Sequence, residues 1–238
     1  MLYVVIEKIY FTKPIGIWYN IKNKTVRGVI MKQILCFGDS NTYRYIPITG
    51  KRLPWEKRWT GILNEKLGLN EYNIHEEGLV GRTTIFDDPL REGRNGVKSF
   101  HNILETHTPL DLIIIMLGTN DCKKVYSANA NIIGKGITRL INQAKTYSPE
   151  SKILLISPIH LGEGVWEDGF DPEFSRSSVE ISKQLKKEYE NISIQNDIYF
   201  LAASDYAEPS EGDREHMNED GHRNFANAVY SKVKEIIG

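Results

Sequence analysis

Ser40 lies in the turn Gly38-Asp39-Ser40-Asn41-Thr42, directly after the apolar run 34–37. An apolar run ending this way reads as a buried parallel strand that empties into a helix N-terminus. The hydroxyl is then expected at the carboxyl edge of a sheet, where open α/β folds hold their sites. A serine is a weak nucleophile until a neighbouring base takes its proton, and a histidine titrates near the working pH. Asp213-Arg214-Glu215-His216 supplies one. The three-residue spacing lets Asp213 accept from one ring nitrogen, fixing the tautomer, while the other faces Ser40. A negative oxygen formed by such an attack needs donors aimed at it. Three candidates each follow a predicted strand: the Ser40 N–H at a helix N-terminus, the Gly81 N–H, and the Asn120 carboxamide in Gly118-Thr119-Asn120-Asp121. Each has a plainer explanation alone, as a turn glycine or a helix cap. Four separate segments that each carry what acyl transfer requires favour chemistry over coincidence.

The elements that must position these groups are legible from periodicity. Short Ile/Leu/Val runs at 33–37, 72–76, 111–117, 152–157 and 198–201 suit strands covered on both faces. Residues 191–197 offer an alternative fifth strand. Helical patterns fill 58–67, 96–106, 131–147, 175–190 and 221–237, the last with Phe225, Val229, Val233 and Ile236 on one face. The expected fold is α/β: a three-layer α/β/α, flavodoxin-like domain over residues 31–238 with a five-stranded parallel sheet. Residues 1–30 stand apart. Strands at 15–21 and 25–30 around Lys22-Asn23-Lys24 suggest a hairpin, and Met31 suggests an over-extended reading frame as the alternative. The connection 158–171 should overhang the rim that carries Ser40, either as a functional loop or as a solvated irregular one.

Composition narrows the partners. The 30 basic and 31 acidic residues form no block of one sign, which disfavours a nucleic-acid partner. Cys36 and Cys122 show no paired spacing, as expected of reduced thiols in a cytoplasmic protein. No run approaches the roughly 20 apolar residues of a membrane span, and 2–6 is too short for a signal core. The six histidines match no metal-ligand spacing, so no metal is expected. Tyr43 and Tyr45, close to the serine, and Trp166, in the long connection, are candidate substrate contacts. Trp55 and Trp59 read as core aromatics.

Taken in order, Gly38-Asp39-Ser40, Gly81, Asn120 within Gly-Thr-Asn-Asp, and Asp213-x-x-His216 resemble the four blocks of the SGNH (GDSL-type) hydrolase family. The segments 34–40, 58–61, 76–79, 82–84, 87–89 and 109–121 are similar to its arylesterase/acyltransferase branch, and the resemblance runs from residue 31 to about 237. It implies a serine esterase with a shallow open site, no metal or other cofactor, a small-molecule ester of a short acyl group as substrate, and a homo-oligomer. Ser40 becomes the nucleophile, His216 the base and Asp213 its orienting partner, with Ser40, Gly81 and Asn120 as the oxyanion hole. Asn41-Thr42-Tyr43-Arg44-Tyr45 departs from the apolar residue and Trp-Gly usual there, and Arg44 suits a polar or anionic leaving group or a surface ion pair. The long acidic segment 204–212 suggests a less rigid loop before Asp213. Two rival readings stand beside the esterase: an acyltransferase that passes the group to an alcohol, and a non-catalytic anion-binding module built on the 38–42 turn.

Overall fold

The computed structural model describes residues 18–21, 24–27, 31–46 and 50–238. Strands β1 (Trp18–Ile21) and β2 (Lys24–Arg27) pair antiparallel, with Trp18 opposite Arg27. The second of these strands starts at Lys24 rather than Thr25. The other residues of that segment lie outside the described ones.

After it comes β3 (Lys32–Gly38), then the four-residue helix α1 (Ser40–Tyr43) and a small ribbon of β4 (Tyr45–Ile46) with β5 (Lys51–Arg52). Helix α2 (Trp59–Leu67) leads to β6 (Tyr72–Gly78), α3 (Gly96–His107) to β7 (Leu112–Met116), and α4 (Ala130–Tyr147) to β8 (Lys152–Ser157). Helix α5 (Arg176–Asn196), β9 (Tyr199–Ala202) and α6 (Glu219–Ile237) complete the chain. The main sheet has five strands in the order β6-β3-β7-β8-β9, all parallel. The order doubles back between β3 and β7, which opens a crevice at the carboxyl ends beside β3.

Strand alternation sorts the core into two layers. Leu35 and Phe37 of β3 face α3, α4 and α5, among Phe100, Leu104, Ile137, Leu140 and Tyr189. Ile34 and Cys36 face the other way, against Trp59 and Leu63 of α2 and Phe225 and Val229 of α6. Trp59 is fully buried and meets Phe225 edge-on at 5.2 Å, a core role as expected. Helix α5 extends to Asn196 and stops where Asp197 turns left-handed (φ 52), so 191–197 is helix and the fifth strand is β9. Asn129, Ser175 and Asn218 cap α4, α5 and α6 by each accepting from the backbone N–H three residues on. A less local cap serves α2: the buried His222 Nδ1 accepts from Trp59 N at 3.3 Å.

Two glycines let α1 rest on the sheet edge. A β-carbon on Gly38 would lie 2.1 Å from Thr42 Oγ1, and one on Gly78 would lie 2.2 Å from Tyr43 N. The second clash is with backbone, which cannot swing aside. Gly78→Ala is expected to destabilise the fold by about 1–3 kcal/mol by overpacking. Thermal unfolding should show a midpoint lower by roughly 2–12 °C, and an unchanged midpoint would show that α1 can lift off the edge.

Candidate active site

Helix α1 is too short to hold itself and is pinned at both ends. Asp39 Oδ1 accepts from Asn41 N at 2.9 Å, capping the helix, and Arg44 ends it in the left-handed region (φ 65). The Arg44 guanidinium turns inward, is buried, and donates to the Met217 carbonyl. It braces the loop that carries His216 instead of meeting solvent or a surface acid. Ser40, thus presented at the sheet edge, has its Oγ 2.8 Å from His216 Nε2. His216 Nδ1 lies 2.7 Å from Asp213 Oδ2, and Asp213 Oδ1 accepts from Ser210 Oγ, Glu215 N and His216 N at 2.8–3.0 Å. The loop before Asp213 is tied down as well. Ser210 N donates to His216 O at 2.7 Å, and Arg214 N donates to Ser210 O at 2.8 Å.

The four segments are clasped to one another by buried polar side chains. Asn41 Oδ1 accepts from Met217 N at 3.0 Å, tying the serine turn to the histidine loop. Arg82 donates to the Gly38 carbonyl at 2.8 Å and lies 4.1 Å over the Phe37 ring, tying the loop after β6 to β3. Asp121 accepts from Thr84 N and Thr84 Oγ1 at 2.5–3.0 Å, and Asn120 Nδ2 donates to Arg82 O at 3.2 Å. One hydrogen of the Asn120 amide is thereby used to aim the other. The Ser40 and Gly81 N–H groups have no protein acceptor among the described residues. Gly81 adopts φ 80, and a β-carbon there would press to 2.6 Å from the Arg91 guanidinium. Nothing in the sequence alone marks Arg82 and Asp121 as site residues, although both lie in the segments that carry the family resemblance.

Burial and charge then set the titration of each group. Desolvation pushes the Asp39 carboxyl up to about 6 and that of Asp121 up to about 7, against the hydrogen bonds that stabilise their anions. Desolvation lowers Arg82 to about 10, opposed by Glu77 and Asp39. Burial disfavours the Asp213 anion, but its bonds from His216 and Glu215 outweigh this and hold it below the usual carboxylate range. Burial likewise opposes charge on His216, and there the nearby Glu215 and the Asp213 bond prevail, raising it to about 9. His222, desolvated beside Arg44 and His216, is pushed well down and stays neutral, as its acceptor role requires.

A cleft of about 300 Å³ opens over these groups, with Ser40, Gly81, Asn120 and His216 in its wall. Tyr45, Val80 and Leu90 give it an apolar part, and the Tyr45 ring lies 5.7 Å from that of His216. Asp88, Arg91, Lys123, Asp171, Glu173 and Glu215 make the remainder charged. A larger hollow of about 460 Å³ between α2 and α6 is lined by side chains such as Lys57, Lys66 and Arg223 and holds none of the groups above. Tyr43 and Trp166 lie elsewhere. Tyr43 has the Arg52 guanidinium 4.6 Å over its ring, while Trp166 packs on the core with Arg176 over it. The connection holding Trp166 is not solvated throughout. Ile159, Leu161 and Val165 are buried, and Gly162 N donates to Arg214 O at 2.7 Å, so it buttresses the histidine loop. Among the described residues no cluster of His, Cys, Asp and Glu is built to hold a metal ion, and no helix is long and apolar enough to cross a membrane.

Residues 36–224 match the GDSL-like lipase/acylhydrolase family. The chain belongs to this family. Its fold is shared with solved SGNH hydrolases. An aryl esterase from M. smegmatis is 30% identical with a TM-score of 0.80, covering 87% of this chain and 100% of its own. A carbohydrate acetylesterase from Sinorhizobium meliloti is 34% identical, with a TM-score of 0.80 and the same coverage. A carbohydrate acetylesterase family member from that organism is 33% identical with a TM-score of 0.82, again over 87% of this chain and 100% of its own. No curated protein matches the chain. As a GDSL-type hydrolase the protein is a carboxylic ester hydrolase.

The raised pKa of His216 has a direct readout. Its ring is expected to titrate by NMR near pH 9 instead of near 6.5, and Glu215→Gln should move the midpoint down. Since the folded value exceeds the unfolded one, the stability gained from the ion cluster is complete below pH 6.5 and is lost as the pH rises through about 9. A midpoint near 6.5 in the unaltered protein would contradict the two-carboxylate environment.

Proposed function

We propose that this hydrolase cleaves short-chain carboxylic esters through an acyl-enzyme on Ser40. The supporting observation is the hydrogen-bonded line from Ser40 Oγ to His216 Nε2 at 2.8 Å and from His216 Nδ1 to Asp213 at 2.7 Å. His216 Nε2 takes the Ser40 proton as Oγ bonds to the ester carbon. The tetrahedral oxyanion is met by the Ser40 and Gly81 N–H groups and the free hydrogen of the Asn120 amide. Nε2–H then protonates the alkoxy oxygen, the carbon–oxygen bond breaks and the alcohol leaves. A water repeats the sequence on the acyl-enzyme, giving its proton to Nε2, and the carboxylic acid departs as Ser40 regains its proton. Asp213 holds the ring and stabilises the imidazolium throughout.

The size of the cleft supports a short acyl group, since about 300 Å³ is at the small end of ligand pockets. Its charged wall supports hydrolysis over transfer to an alcohol, which a dry apolar pocket would favour. Solved relatives named as aryl esterase and carbohydrate acetylesterase support aryl, alkyl and acetylated-sugar esters as the substrate range.

Ser40→Ala should lower kcat on p-nitrophenyl acetate by on the order of 10⁴- to 10⁶-fold and leave thermal stability near that of the unaltered protein. Asn120→Ala should cost roughly 100- to 1000-fold. Because the base must be neutral, kcat/KM should climb with pH through about 9. Undiminished turnover by Ser40→Ala, with no acyl adduct seen by mass spectrometry on mixing, would remove the mechanism.

A further inference from the structure

Glu215 stands between the two residues that orient and form the base, yet the mechanism above gives it no contact with substrate. Its side chain is brought to the cleft by a strained backbone. Arg214 sits at φ 58, a region non-glycine residues rarely occupy, and no glycine is there to make it easy. The turn sends the Arg214 guanidinium outward, to Glu167 Oε2 at 2.7 Å and over the Phe170 ring at 4.1 Å. Glu215 is turned the opposite way, into the wall of the cleft. It is only 8% exposed, and its Oε1 lies 3.8 Å from His216 Nε2, the nitrogen that faces Ser40. Among the described residues no N–H or O–H lies within hydrogen-bond distance of this carboxylate. Burial raises its pKa, opposed by His216 and Lys123 and reinforced by Asp171 and Asp213. A nearly buried carboxylate without a donor, aimed into a substrate cleft, is an acceptor awaiting a partner.

The geometry says what that partner would be. In the reaction proposed above, on which this inference rests, the leaving alkoxy oxygen must come within about 2.6–3.2 Å of Nε2 to receive its proton. Glu215 Oε1 lies 3.8 Å from the same nitrogen and lines the same cleft, within reach of groups carried by an alcohol bound there. A hydroxyl on the carbon next to the ester-bearing carbon reaches one hydrogen-bond length further, to the carboxylate. We propose that Glu215 is a specificity-determining residue that accepts a hydrogen bond from a free hydroxyl vicinal to the scissile ester. The preferred substrates are then partially acylated sugars and polyols, rather than esters of simple alcohols. A hydrogen bond to an ionised acceptor strengthens as water leaves the cleft. An alcohol lacking the donor would cover the carboxylate and leave it only the His216 ring at 3.8 Å, without a hydrogen bond, which disfavours that alcohol. The other charged side chains of the wall, Lys123 and Asp171 among them, suit a hydroxylated leaving group for the same reason.

The test compares kcat/KM for 2-hydroxyethyl acetate with that for 2-methoxyethyl acetate. The two leaving groups withdraw electrons to a similar degree, but only the first can donate. The unaltered enzyme should prefer the hydroxy ester by about 10- to 150-fold, as for a hydrogen bond to a charged group. Glu215→Ala should bring the ratio close to one. Glu215→Gln, which keeps the volume and a neutral acceptor, should retain an intermediate preference. The ratio is the readout because Glu215 also tunes His216, which alters the rates on both esters together. p-Nitrophenyl acetate, run alongside, separates the two ways of failing. If that ester is cleaved while the unaltered enzyme shows no preference between the glycol esters, the assignment of Glu215 is overturned and the esterase mechanism stands. If none of the three is cleaved, both fall. A preference that survives intact in Glu215→Ala also overturns the assignment, since the donor must then be read by another group.

Discussion

The site depends on one close approach, the seating of α1 against the carboxyl ends of β3 and β6. The four-residue helix has no room for side chains beneath it, because any β-carbon at Gly38 or Gly78 would collide with Thr42 or with the Tyr43 backbone. So short a helix has little stability of its own. Its position is dictated by the sheet edge below, by the Asp39 cap and by the inward Arg44. From that seat the Ser40 hydroxyl meets a histidine that is 176 residues away in sequence.

Everything else at the rim secures that meeting with buried polar groups. Arg82, Asp121, Asn41 and Asn120 each bond across two loops, so no loop can move without leaving a buried donor or acceptor unpaired. The arrangement concentrates negative groups near His216. Asp39, Asp213 and Glu215 all raise its affinity for a proton, and this sets the charge of the resting base. Such a base is strong once neutral, and the carboxylates that make it strong also make it neutral only in alkaline solution. The same loop therefore holds the ring, sets its basicity and, through Glu215, presents an acceptor to the leaving group.

The sheet was legible because its strands are continuous apolar runs of the right length between turn residues. The helices were legible from their apolar stripes. The fifth strand was ambiguous in sequence, since 191–197 carries Ile and Ser suited to either state. Helix α5 claimed it by burying Ile192 and Ser193 on the face it had already begun with Val179 and Leu185. Ser40, Gly81, Asn120, Asp213 and His216 were legible as residue types at strand ends. Arg44 was not, because a side chain's direction after a left-handed turn is set by the loop that receives it. Tyr43 follows Ser40 closely and Trp166 lies in the connection expected over the rim, but neither lines the cleft: Arg52 sits over the Tyr43 ring, and Trp166 packs on the core with Arg176 over it.

By itself the sequence determined the layer order, the strand ends that bear chemistry and the residue types available there. These follow from local periodicity and turn chemistry, which neighbouring residues decide. Tertiary structure alone decided which polar groups are buried and what faces them. Glu215 reads in sequence as one more surface acid in a charged loop. Only the turn at Arg214 and the packing of 158–171 against it put that carboxylate 3.8 Å from His216 Nε2, because desolvation and charge proximity depend on distance in space and not along the chain.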